Sequence, residues 1–271
     1  MLDQNFPVVK VSKGAIAAPF ANLRELIFSF VLMSIAVGVM AGYALSNGLT
    51  MDVISSMGNP ENSELVDEYA GVLGITYLIA TFVVGPVSAY LFNYWVRLGA
   101  YGKEGTAFET TKAAIVATLT NMAKFALIFL LMGLVSIVLG FLMVLLGVGA
   151  GPDELAATMQ GHVSVSTVVT NVINLIMICV IYSLFSANLT QTALKSDKED
   201  LKHPHTVDFA LVLFLLYLVA FIPGTLVSLL GVMWVNIAMQ ATVGVYVAFA
   251  IAVAHGFRYQ ICVAEKAEAP E

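Results

Sequence analysis

The chain has 271 residues, 59% of them hydrophobic and 11% charged, with a formal net charge of −6. An ordinary soluble domain carries about 25% charged residues, so a water-soluble globule is excluded: no core of this size hides so much apolar surface. The net charge informs only once it is divided between the two sides of a membrane, where an acidic outer face disfavours binding of nucleic acid or anionic lipid there.

Six segments are apolar over a bilayer-spanning length, at residues 23–45, 69–96, 124–146, 165–189, 207–230 and 234–256. Hydrocarbon offers backbone groups no hydrogen bonds, so each is expected to be helical. The short alternating segments of a β-barrel do not occur. The expected fold class is all-α: a single polytopic domain over 1–271, with six transmembrane helices arranged as three helical hairpins. Three successive hairpins are either an ancient repeat or the plain consequence of an even number of spans. With the N-terminus inside, all 12 Lys and Arg residues fall on the inner side, while the outer loops hold Asp52, Glu61, Glu64, Asp67, Glu68, Asp153 and Glu154. The positive-inside rule then predicts that both termini are cytoplasmic.

Residues 1–20 interleave Val8, Val9, Val11, Ala15 and Ile16 with Lys10 and Lys13, which reads either as an amphipathic segment on the inner lipid surface or as a frayed terminus. The first span is longer than a signal-peptide core and is expected to stay uncleaved. In the second span, Pro86 removes a backbone donor, so a kink is expected, with Ser88 or a neighbouring helix satisfying the freed carbonyl. Tyr94, Trp95 and Arg97 are expected to anchor its inner end at the headgroups. Residues 107–123 form a second amphipathic segment, with Phe108, Ile115, Leu119 and Met122 opposite Glu109 and Lys112, expected along the inner surface.

The third span carries Gly133, Gly140 and Gly147 at heptad spacing, a nearly straight groove suited to left-handed helix packing. The fourth holds Asn171 and Asn174 near its outer end. The fifth meets Pro223 and Gly224, which predicts a kink or re-entrant corner. Along the sixth, Asn236, Gln240, Gly244, Ala248, Ala252 and Gly256 recur every four residues. The small members of that stripe are expected to pack closely against a neighbouring helix.

Signatures of chemistry are sparse. The zincin helix, the nucleophile elbow, the phosphate loop and the dinucleotide fingerprint are all missing. With the spans bounded as above, no Asp, Glu, Lys, Arg or His falls in the middle of one, which argues against ion-coupled transport and intramembrane catalysis. Neither an enzyme nor a cofactor is expected. The metal candidate is His203, His205 and Asp208, with Asp200 and His255 as further ligands; the alternative is a solvated loop of mixed charge. His162 stands alone in an outer loop. Asn171, Asn174, Asn236 and Gln240 form the other candidate: four amides at similar depth either line a water-accessible pocket or make interhelical hydrogen bonds. Cys179 and Cys262 are too far apart to pair.

The segments GPVSAY at 85–90, YGKEG at 101–105, AFETTKAA at 107–114 and IPG at 222–224 resemble a group of bacterial six-span membrane proteins. That group includes the membrane region found beside glycerophosphodiester phosphodiesterase domains. The resemblance implies the topology and a bacterial inner membrane, but it supplies no catalytic residue, and no phosphodiesterase domain accompanies it. The expected function is a non-catalytic accessory or scaffold subunit acting through helix or lipid contacts, with a membrane-protein partner or a second copy. The alternative is a passive channel or carrier for a small neutral or lipophilic solute. A metal-dependent enzyme at the cytoplasmic histidines is a third reading.

Overall fold

A computed structural model describes residues 6–57, 62–145, 165–195, 205–228 and 233–268. Among the described residues every element is a helix. Five helices are long and apolar enough to cross a membrane, and a bent pair adds a sixth when taken as one span. The chain is an all-helical, multi-pass membrane protein. The outer faces agree with that environment: Ile27, Phe28, Val31 and Ile35 on one helix, and Leu127, Leu130, Leu134 and Ile137 on another, are exposed in contiguous apolar stripes. Such stripes belong against lipid rather than water.

Helix α1 (Val8–Ala21) precedes the first span, α2 (Leu23–Ser46), and the short helices α3 (Met51–Met57) and α4 (Ser63–Glu68) follow it. Helix α5 (Ala70–Ile79), a π-helical turn over Ala80–Val84 and α6 (Gly85–Tyr101) form one continuous span. This is how the chain accommodates Pro86. The wide turn shifts the hydrogen-bond register just ahead of the residue that cannot donate, and the Ser88 hydroxyl donates to the Val84 carbonyl at 2.8 Å. Helix α7 (Thr111–Leu145) is the third long helix. Helices α8 (Val165–Phe185) and α9 (Ala187–Leu194) meet at Ser186 with a 43° bend. The chain ends on α10 (Thr206–Ser228) and α11 (Met233–Glu268).

The bundle is built around α6 and α11, which touch backbone to backbone. A Cβ on Gly99 would lie 2.6 Å from the Val253 carbonyl oxygen, and one on Gly256 would lie 2.5 Å from the Ala100 nitrogen. Only glycine permits that approach, and the closeness brings Val96, Leu98, Ala250 and Val253 into one buried cluster. Trp95 belongs to the same core: it is fully buried, stacks on Phe249 at 5.3 Å and donates its Nε1 proton to Ser29 Oγ at 3.0 Å. The headgroup anchor expected of Trp95 is therefore corrected. Its indole N–H has a partner inside the protein, so it has no need of the interface.

Three further expectations change. Of the two readings of the first segment, the frayed terminus is overturned: residues 8–21 form a helix that packs on the bundle. Val11, Ser12, Ala15 and Pro19 of α1 are buried where the helix packs on α10 and α11, and the Tyr246 hydroxyl donates to the Ile16 carbonyl. The second amphipathic segment is no separate surface helix, because α7 runs unbroken from Thr111 into the span. Its Ala117, Thr118 and Asn121 face protein, whereas Ile115 and Leu119 are exposed. Lastly, α11 does not end near Gly256 but continues to Glu268, placing His255 and Arg258 inside a spanning helix.

Candidate functional site

The small-residue stripe on α11 splits in two. Ala252 and Gly256 are buried against α6, but Gly244 and Ala248 face open space, and a Cβ on Gly244 would meet nothing within 4 Å. They line a cavity of about 630 Å³ that also touches α2, α5, α6, α7, α8 and α10. The cavity exists because its walls are short of side-chain volume: Ala80, Gly85, Ala89, Ala123 and Ala126 line it together with Gly244 and Ala248. Phe92, Phe125, Phe129 and Phe249 supply rigid apolar walls, and Met33, Met122 and Met132 supply adaptable ones. No Asp, Glu, Lys, Arg or His is among the described lining residues; those that carry a hydroxyl are Thr81, Ser88, Tyr77, Tyr182 and Tyr217. Tyr77 and Phe129, 71% and 58% exposed, stand on its open side.

Next to the cavity lies a layer of buried polar side chains. His255 is fully buried, with Nδ1 3.0 Å from Thr190 Oγ1 and Nε2 3.3 Å from the Tyr182 hydroxyl. Phe92, Tyr182 and Phe209 surround its ring. One turn further along α11, the Arg258 guanidinium lies 4.6 Å over the Phe209 ring, and it donates to the Ser183 carbonyl at 3.4 Å and to Thr206 Oγ1 at 3.5 Å. The Ser183 carbonyl sits in the last turn of α8, just where the bend at Ser186 leaves carbonyls without the next helical turn, so Arg258 takes over the missing donor.

The same layer holds α9. Asn121 on α7 donates to the Leu189 carbonyl at 3.0 Å and to Asn93 Oδ1 at 2.5 Å. Lys124 donates to the Asn188 carbonyl at 2.8 Å and to Thr192 Oγ1 at 2.6 Å, and Arg97 reaches the Ala193 carbonyl at 3.2 Å. Donors from α6 and α7 thus reach backbone carbonyls of α9, and Arg258 of α11 reaches the last turn of α8. Asn93 Nδ2, Asn121 Oδ1, Ser186 Oγ and Arg258 Nε are buried with no hydrogen-bond partner among the described residues.

The expected sites fare unevenly. His205 Nδ1 lies 3.3 Å from Asp208 Oδ2, and the His205 ring packs on Phe6. His255 does not join them, since its ring nitrogens face Thr190 and Tyr182. His203, Asp200 and His162 lie outside the described residues. Among the described residues no group of three His, Cys, Asp or Glu side chains could share a metal ion. Of the four amides, Asn174 accepts a hydrogen bond from Ser136 of α7 at 2.8 Å, the interhelical role, while Gln240 is exposed on α11. The side chains of Asn171 and Asn236 lie outside the description.

The glycine groove expected on the third span lies partly outside the described residues. At Gly133 and Gly140 a Cβ would meet nothing within 4 Å, because that part of α7 has no described neighbour on its glycine side; Gly147 is outside the described residues. Reading the apolar pattern onward through Ile261, Cys262, Val263 and Ala264 places Arg258 within the same long helix as His255. Neither Asn93 nor Asn121 could be found that way: they lie 28 residues apart on different helices, and only packing joins them. No protein-family model, no curated protein and no solved structure matches this chain.

Proposed function

We propose that the protein is a non-catalytic binder or carrier of a neutral lipophilic molecule in a bacterial inner membrane. It crosses the membrane six times, with α8 and α9 as one broken span and both termini in the cytoplasm. The cavity carries this reading. Its 630 Å³ falls within the roughly 300–1,000 Å³ of small-molecule sites, and its walls are aromatic, thioether and hydroxyl. A subunit acting only through its outer surface has no use for such a space, so the carrier reading ranks above the scaffold reading. The orientation is supported by basic side chains gathered at one end of the bundle: Lys103 pairs with Glu25 at 3.7 Å, Lys195 with Glu109 at 3.5 Å, and Arg97 and Lys124 bind α9. Positive charge gathers on the cytoplasmic side of bacterial membranes.

The test is photolabelling in liposomes with a diazirine-bearing long-chain hydrocarbon, mapped by mass spectrometry. Label is expected on inner residues such as Phe125 and Phe249 as well as on the outer face at Ile27. Ala248→Phe should reduce the inner label at least fivefold and leave the outer label unchanged. Label confined to outer faces in the unaltered protein would refute the reading.

A further inference from the structure

The cavity wall is apolar except for hydroxyls, and one of these is wired into the protein interior. Tyr182 lines the cavity, its hydroxyl lies 3.3 Å from His255 Nε2, and the other imidazole nitrogen lies 3.0 Å from Thr190 Oγ1. Ser88, by contrast, directs its proton to the Val84 carbonyl at 2.8 Å. Resting on the cavity reading above, we infer that the ligand is a lipid with a single uncharged hydroxyl or carbonyl head, and that Tyr182, set by His255 and Thr190, is the group that receives it.

The chain of three can be arranged in two ways without adding or removing a proton. In one, Thr190 donates to Nδ1, Nε2–H donates to the Tyr182 oxygen, and the phenol proton is free to point at a carbonyl in the cavity. In the other, Nδ1–H donates to Thr190, the phenol donates to Nε2, and the Tyr182 oxygen accepts from a hydroxyl. A hydroxyl at Thr190 allows both, because it donates and accepts. A charged head is excluded by desolvation: no described lining residue is an acid, Lys, Arg or His able to pair with it. A ligand with no polar group would leave the Tyr182 hydroxyl with one hydrogen-bonding position empty against an apolar surface.

The test uses three diazirine probes of equal chain length, a primary alcohol, a ketone and a hydrocarbon, in phosphatidylcholine liposomes. In the unaltered protein, alcohol and ketone should label Phe125 and Phe249 at least fivefold more than the hydrocarbon. Tyr182→Phe should bring all three to the hydrocarbon level without abolishing the label. Thr190→Val leaves Nδ1 without a hydroxyl. Valine cannot accept the Nδ1–H that the alcohol-receiving arrangement gives to Thr190, so the balance shifts toward Nε2–H and the ketone should come to be preferred over the alcohol by at least threefold. Equal labelling by all three probes in the unaltered protein would overturn the head-group assignment while leaving the cavity reading intact. Absence of inner label from every probe would sink both. An unchanged ketone-to-alcohol ratio in Thr190→Val would overturn the roles given to His255 and Thr190.

Discussion

Two halves of one stripe on α11 meet opposite fates. Gly256 sits in backbone contact with α6 and Ala252 is fully buried, while Ala248 and Gly244, one and two turns earlier on the same line, border a cavity. The residues are alike, so the difference comes from α6. Near its C-terminal end Gly99 matches Gly256 and the helices close up. At its other end the π turn and Pro86 re-aim the helix, and a Cβ on Gly85 would meet the Met122 thioether at 3.3 Å rather than α11. Small residues therefore show where a backbone may be approached; the partner helix decides whether approach occurs.

Leucine substitutions along the stripe should separate the halves, the largest effect first. Gly256→Leu forces α6 and α11 apart and should cost about 3 kcal/mol or more, read as loss of folded protein or a large fall in Tm in mild detergent. Asn121→Leu strands the Leu189 carbonyl and Asn93 in the polar layer. It should cost about 2 kcal/mol, and α9 should become the most rapidly exchanging inner segment by hydrogen exchange. Gly244→Leu enters open space and should change stability by no more than about 1 kcal/mol, while removing the inner photolabel. Gly140→Leu, on the unpartnered side of α7, should shift Tm least, within about 0.5 kcal/mol. If Gly244→Leu proved as damaging as Gly256→Leu, the two halves would be equally packed and the cavity would not exist.

Much of the architecture was legible because bilayer length and apolarity are local properties. Five spans stand as single helices, and Pro86 announced its own distortion. The fourth span was read as one helix because nothing in its sequence marks the break. Ser186 becomes a bend through donors arriving from Arg97, Asn121, Lys124 and Arg258, residues remote in the chain. The site failed to show for the same reason. His255 looked like a cytoplasmic boundary residue until packing enclosed it with Phe92, Tyr182 and Phe209. Tyr182 carried no motif at all. Of the amides chosen from their periodicity, Asn174 finds a hydroxyl on the adjacent helix.

The measurement closest to the central claim is native mass spectrometry of the protein purified from its own membranes and released gently from detergent. The account predicts a single stoichiometric adduct with the mass of a neutral lipid in the unaltered protein, and its loss in Ala248→Phe at unchanged Tm. A bare protein mass, or an adduct that survives the cavity-filling change, would contradict it.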